Sequence, residues 1–192
     1  MSEKKTSISL ADQRQLLAIA REAISAAANG HQPPELDVRN LPVALRDIGS
    51  CFVTLTSNGK LRGCIGSLEP SQPLAMDVQE HAVAAATQDY RFTPLQPHEE
   101  PFIRIEISRL TPIKKLAYRD SADLVQLLRP CVDGVVISDG FRRATFLPQV
   151  WEKISTPQDF LSQLCMKMGA PPEFWRENKL TIYTYQVEDF KE

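Results

Sequence analysis

Apolar residues follow two different spacings along this chain, and each spacing predicts a type of element. In residues 102–110 they occupy every second position, at Ile103, Ile105 and Ile107, which predicts a strand with one buried face. In residues 10–29 they recur every three or four positions behind Ser9, a favourable N-cap, which predicts an amphipathic helix. Helical spacing also marks residues 73–88 and 157–168, and strand-like runs lie between these segments.

An Asn-Gly pair at positions 58 and 59 separates two β-prone runs, which is a strong signal for a hairpin with a type I′ turn. A two-residue turn continued in regular register places Arg62 opposite Leu55 and Cys64 opposite Val53. Because side chains alternate between faces, this register predicts that Arg62 and Cys64 project from the same face of the hairpin.

The order hairpin, helix, strand occurs twice, in residues 51–110 and again in residues 134–187. Matching Asp139-Gly140 to the first turn places Arg143 at the position of Arg62 and suggests two structurally duplicated halves. The predicted fold class is therefore α+β, with the two hairpins in one mainly antiparallel sheet covered by helices. A smaller lobe is expected to contain either the helix of residues 10–29 or the segment 117–129.

Composition excludes several classes of function. The 192 residues carry a formal net charge of −2 and 43% hydrophobic residues, so nothing predicts a nucleic-acid or membrane partner. Residues 1–9 lack the apolar core of a signal peptide, and the widely spaced cysteines are typical of free thiols in a reducing compartment. A cytoplasmic location is expected.

The hexapeptide L-R-G-C-I-G at positions 61–66 resembles the signature of the AMMECR domain family. The resemblance continues through D-Y-R-F at 89–92, where the family has Pro in place of Tyr, and through motifs at 105–108, 146–150 and 164–169. It covers about residues 10–190 as a single domain with a larger and a smaller lobe. The resemblance also implies two protein partners found with microbial members, a Memo-type dioxygenase-like protein and a radical-SAM protein.

Four side chains are candidates for chemistry, and each has an alternative structural role. Cys64 is a nucleophilic or redox-active thiol, or else a small buried hydrophobe. Arg62 binds a small anion, or pairs with Glu106 or Asp89. Glu106 acts as general acid or base beside Cys64, or serves as a counter-ion or faces solvent. Arg91 lines a pocket near Cys64, or forms a local ion pair with Asp89.

Gly63 and Gly66 complete the predicted substrate-binding set, because they lack side chains and would leave room beside the sulfur of Cys64. No cofactor motif is present, and the three histidines lack metal-ligand spacing, so neither a cofactor nor a metal is predicted. His81 falls on the apolar stripe of its helix and is interpreted as a packed histidine.

Two functional hypotheses follow from these residues. In the first, the chain is a component of an enzyme system that acts on a small anionic molecule at the Cys64 and Arg62 pair. In the second, it is a non-catalytic binding or regulatory module that uses the same surface. A concave pocket at Cys64 would favour the first, and an exposed apolar patch beside it would favour the second.

Overall fold

A computed structural model describes residues 8–192, so most of the polar segment 1–9 lies outside the described residues. The fold is α+β, as predicted. The described chain forms two compact units, one of residues 8–110 with 188–192 and one of residues 111–187.

The α-helices are Leu10–Ala28 (α1), Val43–Arg46 (α2), Leu74–Thr87 (α3), Ser121–Leu127 (α4), Pro157–Lys167 (α5) and Phe174–Glu177 (α6). The strands are Ile48–Ser57 (β1), Lys60–Gly66 (β2), Gln72–Pro73 (β3), Ile103–Leu110 (β4), Lys114–Leu116 (β5), Gly134–Ser138 (β6), Arg143–Phe146 (β7), Thr181–Tyr185 (β8) and Val187–Lys191 (β9). Short 3-10 turns connect several of them.

In the larger unit, β1 is the central strand of an antiparallel sheet with the order β2-β1-β4-β9, and β3 pairs with the beginning of β1. Alternate residues of β1, including Val53 and Leu55, face the core together with Ile105 and Ile107 of β4. The apolar faces of α1 and α3 cover this side of the sheet, where burial of aliphatic side chains provides the main stabilisation. The Ser9 hydroxyl accepts a hydrogen bond from the Asp12 amide, which confirms the predicted N-cap of α1.

The hairpin of β1 and β2 contains a β-bulge that the sequence did not predict. Ser57 pairs with Lys60 as expected, but Leu55 pairs with Gly63, which leaves Arg62 as an extra residue in β2. The predicted pairs of Leu55 with Arg62 and of Val53 with Cys64 are therefore wrong. One inserted residue reverses the alternation beyond it and places Cys64 on the face away from α1 and α3.

The smaller unit contains a second antiparallel sheet with the order β5-β8-β6-β7. Its core includes Trp151 and Phe160, whose rings stack with centroids 3.6 Å apart, and the indole of Trp151 donates to the Asp133 carbonyl oxygen. The predicted single sheet is thus wrong, because each hairpin belongs to a sheet of its own. The unit contains residues 117–129, one of the two segments expected in a smaller lobe.

Both units show the order hairpin, helix, strand, and in both the last strand pairs with the first strand of the hairpin. Their turns differ in length, since Ser138 pairs with Arg143 across four residues. The residue-by-residue match of Arg62 with Arg143 assumed equal turns and does not hold. Structural duplication of the two halves stays a prediction. The predicted last strand, residues 180–187, is β8, and β9 joins the other sheet.

Within residues 8–192, no helix combines the length and apolar character that crossing a bilayer requires. All four cysteines are free thiols, as predicted.

Gly63 packs directly against the backbone of α3, which generates a first prediction. A Cβ atom at position 63 would lie 2.1 Å from the carbonyl oxygen of Ala85. We expect Gly63→Ala to lower the free energy of unfolding by about 2 kcal/mol, because strand and helix must separate.

Urea denaturation followed by circular dichroism measures this loss. Lys60→Ala, at an exposed position of the same strand, is the control and should change stability by less than about 0.5 kcal/mol. Equal stability of Gly63→Ala and the parent protein would contradict the packing argument.

Candidate functional site

Cys64 lies in a row of three polar side chains that crosses the sheet on its less buried face. Cys64 pairs with Thr54 of β1, and Thr54 pairs with Glu106 of β4. The hydroxyl of Thr54 donates to the sulfur of Cys64 over 3.3 Å. All three residues are partly exposed, so the thiol is not sealed in the aliphatic core.

Glu106 and Cys64 lie on strands that are separated by β1. Two strand spacings separate the two residues, which amounts to about 10 Å across the sheet. Among the described residues no hydrogen bond joins Glu106 to the sulfur, and the role of Glu106 as general acid or base stays a prediction. In that role, Glu106 would act on a bound molecule that extends along the row from Cys64 to Glu106.

The backbone of Cys64 is held by the segment that follows α3. Asp89, 4% exposed, accepts a hydrogen bond of 2.9 Å from the Cys64 amide. Arg91 donates to the same carboxylate through Nε and Nη2, over 2.9 and 2.6 Å, and its Nη2 also donates to the Cys64 carbonyl oxygen over 3.4 Å. β2 is an edge strand, so this ion pair satisfies backbone groups that would otherwise face outward unpaired.

The electrostatic consequence is strongest for Asp89. Hydrogen bonds from the Arg91 side chain, and then from the Cys64 amide, hold the pKa of Asp89 well below its ordinary value despite burial. The same contact raises the pKa of Arg91. The predicted local ion pair of these two residues is present, and the Arg91 side chain remains 43% exposed beside Cys64.

Arg62 does not project with the thiol toward a ligand. Its Nε and Nη2 donate to the two carboxylate oxygens of Glu99, each over 2.9 Å, and Nη2 also donates to the carbonyl oxygen of Thr93. Glu99 was not among the predicted partners, and its pKa is lowered to about 2, chiefly by the Arg62 hydrogen bonds. The Phe92 ring lies within 6 Å of both the Arg62 and the Arg91 guanidinium carbons. A bidentate pair in this setting gives Arg62 a structural role.

The two glycines of the hexapeptide allow close backbone contacts. A Cβ on Gly63 would meet Ala85, and a Cβ on Gly66 would lie 2.4 Å from the Cys51 carbonyl oxygen and 2.5 Å from Phe52 Cα. Close packing against neighbouring backbone, and not open space beside the sulfur of Cys64, therefore explains why these two positions are glycines. Substrate binding by these glycines stays a prediction that the packing does not favour.

A cleft of about 820 Å³ opens elsewhere in the larger unit and is lined by Arg21, Pro97, Glu100, Pro101, Ile103, Arg104 and Glu192. None of the predicted site residues lines it. Arg21 is itself paired with Glu192 and donates to the Ile103 carbonyl oxygen.

Sequence reasoning missed a second cluster, on the helix-covered face of the sheet. Asp77 and His81 of α3 lie opposite Cys51 of β1, with Asp77 Oδ2 3.1 Å from His81 Nδ1 and 2.9 Å from the Cys51 amide nitrogen. The sulfur of Cys51 is 3.9 Å from the same Nδ1. Burial, and then the charge of Asp77, raises the pKa of Cys51 well above its ordinary value. The i, i+4 spacing of Asp77 and His81 was the available signal.

Comparisons with known proteins agree with the resemblance of the hexapeptide. The family model of AMMECR1 matches residues 17–190. A protein of Methanothermobacter thermautotrophicus is 38% identical over 98% of both chains, and protein MJ0810 of Methanocaldococcus jannaschii is 33% identical over 81% of this chain and 79% of its own. The crystal structure of the uncharacterised protein PH0010 from Pyrococcus horikoshii covers 93% of this chain and 90% of its own, with a TM-score of 0.77 and 28% identity.

The Asp89 contacts generate a second prediction. In Asp89→Asn one of the two carboxylate oxygens is replaced by an NH₂ donor. An amide oxygen in the place of Oδ2 can still accept from the Cys64 amide and Arg91 Nη2, but the two hydrogen bonds that Oδ1 accepts from the backbone and Nε of Arg91 are lost together with the negative charge. We therefore expect a loss of about 2 kcal/mol of unfolding free energy at pH 7. Because the pKa of Asp89 is depressed in the folded state, its contribution is complete above the ordinary value near 4 and is lost as pH falls.

The stability difference between parent and variant should therefore shrink below about pH 4, as urea titrations at several pH values will show. Asp37→Asn is the control, since Asp37 pairs with an Arg39 that is 92% exposed and Asn caps a helical turn equally well. A difference that does not depend on pH would contradict this account.

Proposed function

The chain belongs to the AMMECR1 family, and from that premise we propose that it handles a small anionic molecule through thiol-dependent chemistry at Cys64. The observation that carries the proposal is the position of the sulfur. The sulfur lies on the less buried face of the sheet and accepts a hydrogen bond from the Thr54 hydroxyl. The half-exposed guanidinium of Arg91 contacts the carbonyl oxygen of Cys64.

Three contacts support a reactive rather than a packed thiol. The sulfur of Cys64 accepts a hydrogen bond from the Thr54 hydroxyl, and the Arg91 guanidinium lies next to the same residue, where it donates to the Cys64 carbonyl oxygen. The Asp89 clamp fixes the backbone of Cys64, which limits the positions that the sulfur can adopt. Together they form a small preorganised site on an edge strand.

Arg91 replaces Arg62 as the residue that we assign to the anion. Arg62 is engaged with Glu99 and Thr93, and displacing it would cost a bidentate pair. Arg91 also holds a carboxylate, yet 43% of its side chain faces solvent and can meet a second anion. Glu106, at the far end of the row, then acts as acid or base only on the distal part of a bound molecule.

A second candidate function is supported by Tyr90, whose ring is 94% exposed between Asp89 and Arg91. An exposed aromatic ring beside a half-exposed arginine is typical of a protein-docking surface. In that case the signature is a non-catalytic binding or regulatory module. The partnerships with a Memo-type protein and a radical-SAM protein stay proposals that come from the family resemblance.

Alkylation by iodoacetamide tests the thiol, with mass spectrometry to quantify each cysteine. Cys131 is exposed in the same chain and serves as the internal reference for an ordinary thiol. We expect Cys64 to react severalfold faster than Cys131 at pH 7, and Thr54→Val to reduce that advantage because the hydroxyl donor is gone. A Cys64 that reacts no faster than Cys131 would contradict the nucleophile and favour the docking module.

The same alkylation assay tests whether a small anion binds beside Cys64. Inorganic phosphate or a small dicarboxylate should slow the alkylation of Cys64 and leave Cys131 unaffected, because the anion binds at Arg91 beside the sulfur. Cys64→Ser should keep the stability of the parent within about 1 kcal/mol, since the side chain is small and partly exposed. Loss of folding in this variant would make Cys64 a packing residue.

A further inference from the structure

We propose that Cys51, Asp77 and His81 form a binding site for one divalent transition-metal ion of the zinc class. The proposal is independent of the function proposed for Cys64, because the cluster lies between β1 and α3 on the opposite face of the sheet. One possible ligand atom of each residue, the sulfur of Cys51, a carboxylate oxygen of Asp77 and a ring nitrogen of His81, lies within 4.8 Å of the other two.

The distances suit a single ion. Around tetrahedral zinc, ligand atoms at about 2.1 Å for nitrogen or oxygen and 2.3 Å for sulfur lie about 3.4–3.6 Å apart. The Nδ1 to Oδ2 distance is 3.1 Å and the Sγ to Nδ1 distance is 3.9 Å, so small side-chain movements bring both to these values.

The geometry does not fit a catalytic relay. In a Cys–His–Asp relay the thiol and the carboxylate contact different nitrogens of the imidazole, so that a proton can pass between them. Here the sulfur and the carboxylate both face Nδ1 of His81. A sulfur and a carboxylate oxygen that both face the same ring nitrogen are arranged as the three ligands of one metal ion would be.

The charges and the burial also favour a metal. Cys51 is completely buried and Asp77 is 1% exposed, so when Cys51 binds an ion as a thiolate, the thiolate and the carboxylate together require two compensating positive charges. A divalent ion supplies them and leaves the site neutral. Mixed thiolate, imidazole and carboxylate ligands select zinc-like ions over calcium or magnesium.

The surroundings support the ligands. The Cys51 amide donates to Asp77 Oδ2 over 2.9 Å and orients the carboxylate, which is the usual role of an outer hydrogen bond around a metal. The His81 side chain is 12% exposed and provides the route by which an ion enters. Three protein ligands leave a fourth position for water, and the bound ion would tie the beginning of β1 to α3.

Cobalt titration of the full-length, reduced protein tests the site. We expect one Co²⁺ per chain, with a thiolate-to-cobalt charge-transfer band in the near ultraviolet that Zn²⁺ abolishes by displacement. Zn²⁺ should also raise the unfolding temperature of the parent protein. Absence of the charge-transfer band with excess Co²⁺ would overturn the proposal, whatever the folding of any variant.

Variants then assign the ligands. Cys51→Ser should lose the band, and His81→Gln should weaken cobalt binding by at least about tenfold, because even outer partners of metal ligands contribute that much. Cys131→Ser, which removes an exposed thiol in the other unit, should keep the band. A band that survives in Cys51→Ser and disappears in Cys64→Ser or Cys131→Ser would place the metal elsewhere and overturn the assignment.

Discussion

The structure of the candidate site depends on one inserted residue in an edge strand. Arg62 is bulged out of the pairing between β1 and β2, so Gly63 rather than Arg62 lies opposite Leu55. Without the bulge Cys64 would enter the aliphatic core beneath α3, and with it the thiol reaches the face that carries Thr54. A shift of one residue moves each following side chain to the opposite face of the strand. Here the shift determines whether the thiol of Cys64 lies in the core or on the less buried face, where another molecule can reach it.

Three successive residues of β2 are held by three different nonlocal contacts, and these contacts maintain the bulge. Arg62 binds Glu99, the Gly63 backbone packs on the Ala85 carbonyl group, and the amide of Cys64 binds Asp89. Each partner comes from α3 or from the connection that follows it. The hexapeptide and the D-Y-R-F segment therefore form one structural unit, and much of what makes the hexapeptide recognisable serves the backbone rather than a ligand.

Local physics explains what could be predicted from the sequence and what could not. The N-cap at Ser9, the turn at positions 58 and 59 and the strand of residues 103–110 each depend on neighbouring residues, and all are present. The bulge depends on Arg62 finding an acid 37 residues away, which no periodicity reveals. Arg62 pairs with Glu99 rather than with the predicted Glu106 or Asp89, and this pairing and the bulge occur together.

The two cysteines of the central hairpin show how far the face of a strand determines chemistry. Cys51 enters the side covered by α3, where desolvation and the charge of Asp77 oppose ionisation, so its thiolate requires a bound cation. Cys64 emerges on the other side, where a hydroxyl and a half-exposed guanidinium accompany it. A reagent that reaches one sulfur has no path through the hydrogen-bonded sheet to the other. The same short hairpin therefore separates the thiol that we propose as a metal ligand from the thiol that we propose as a nucleophile, and the two proposals can be tested independently.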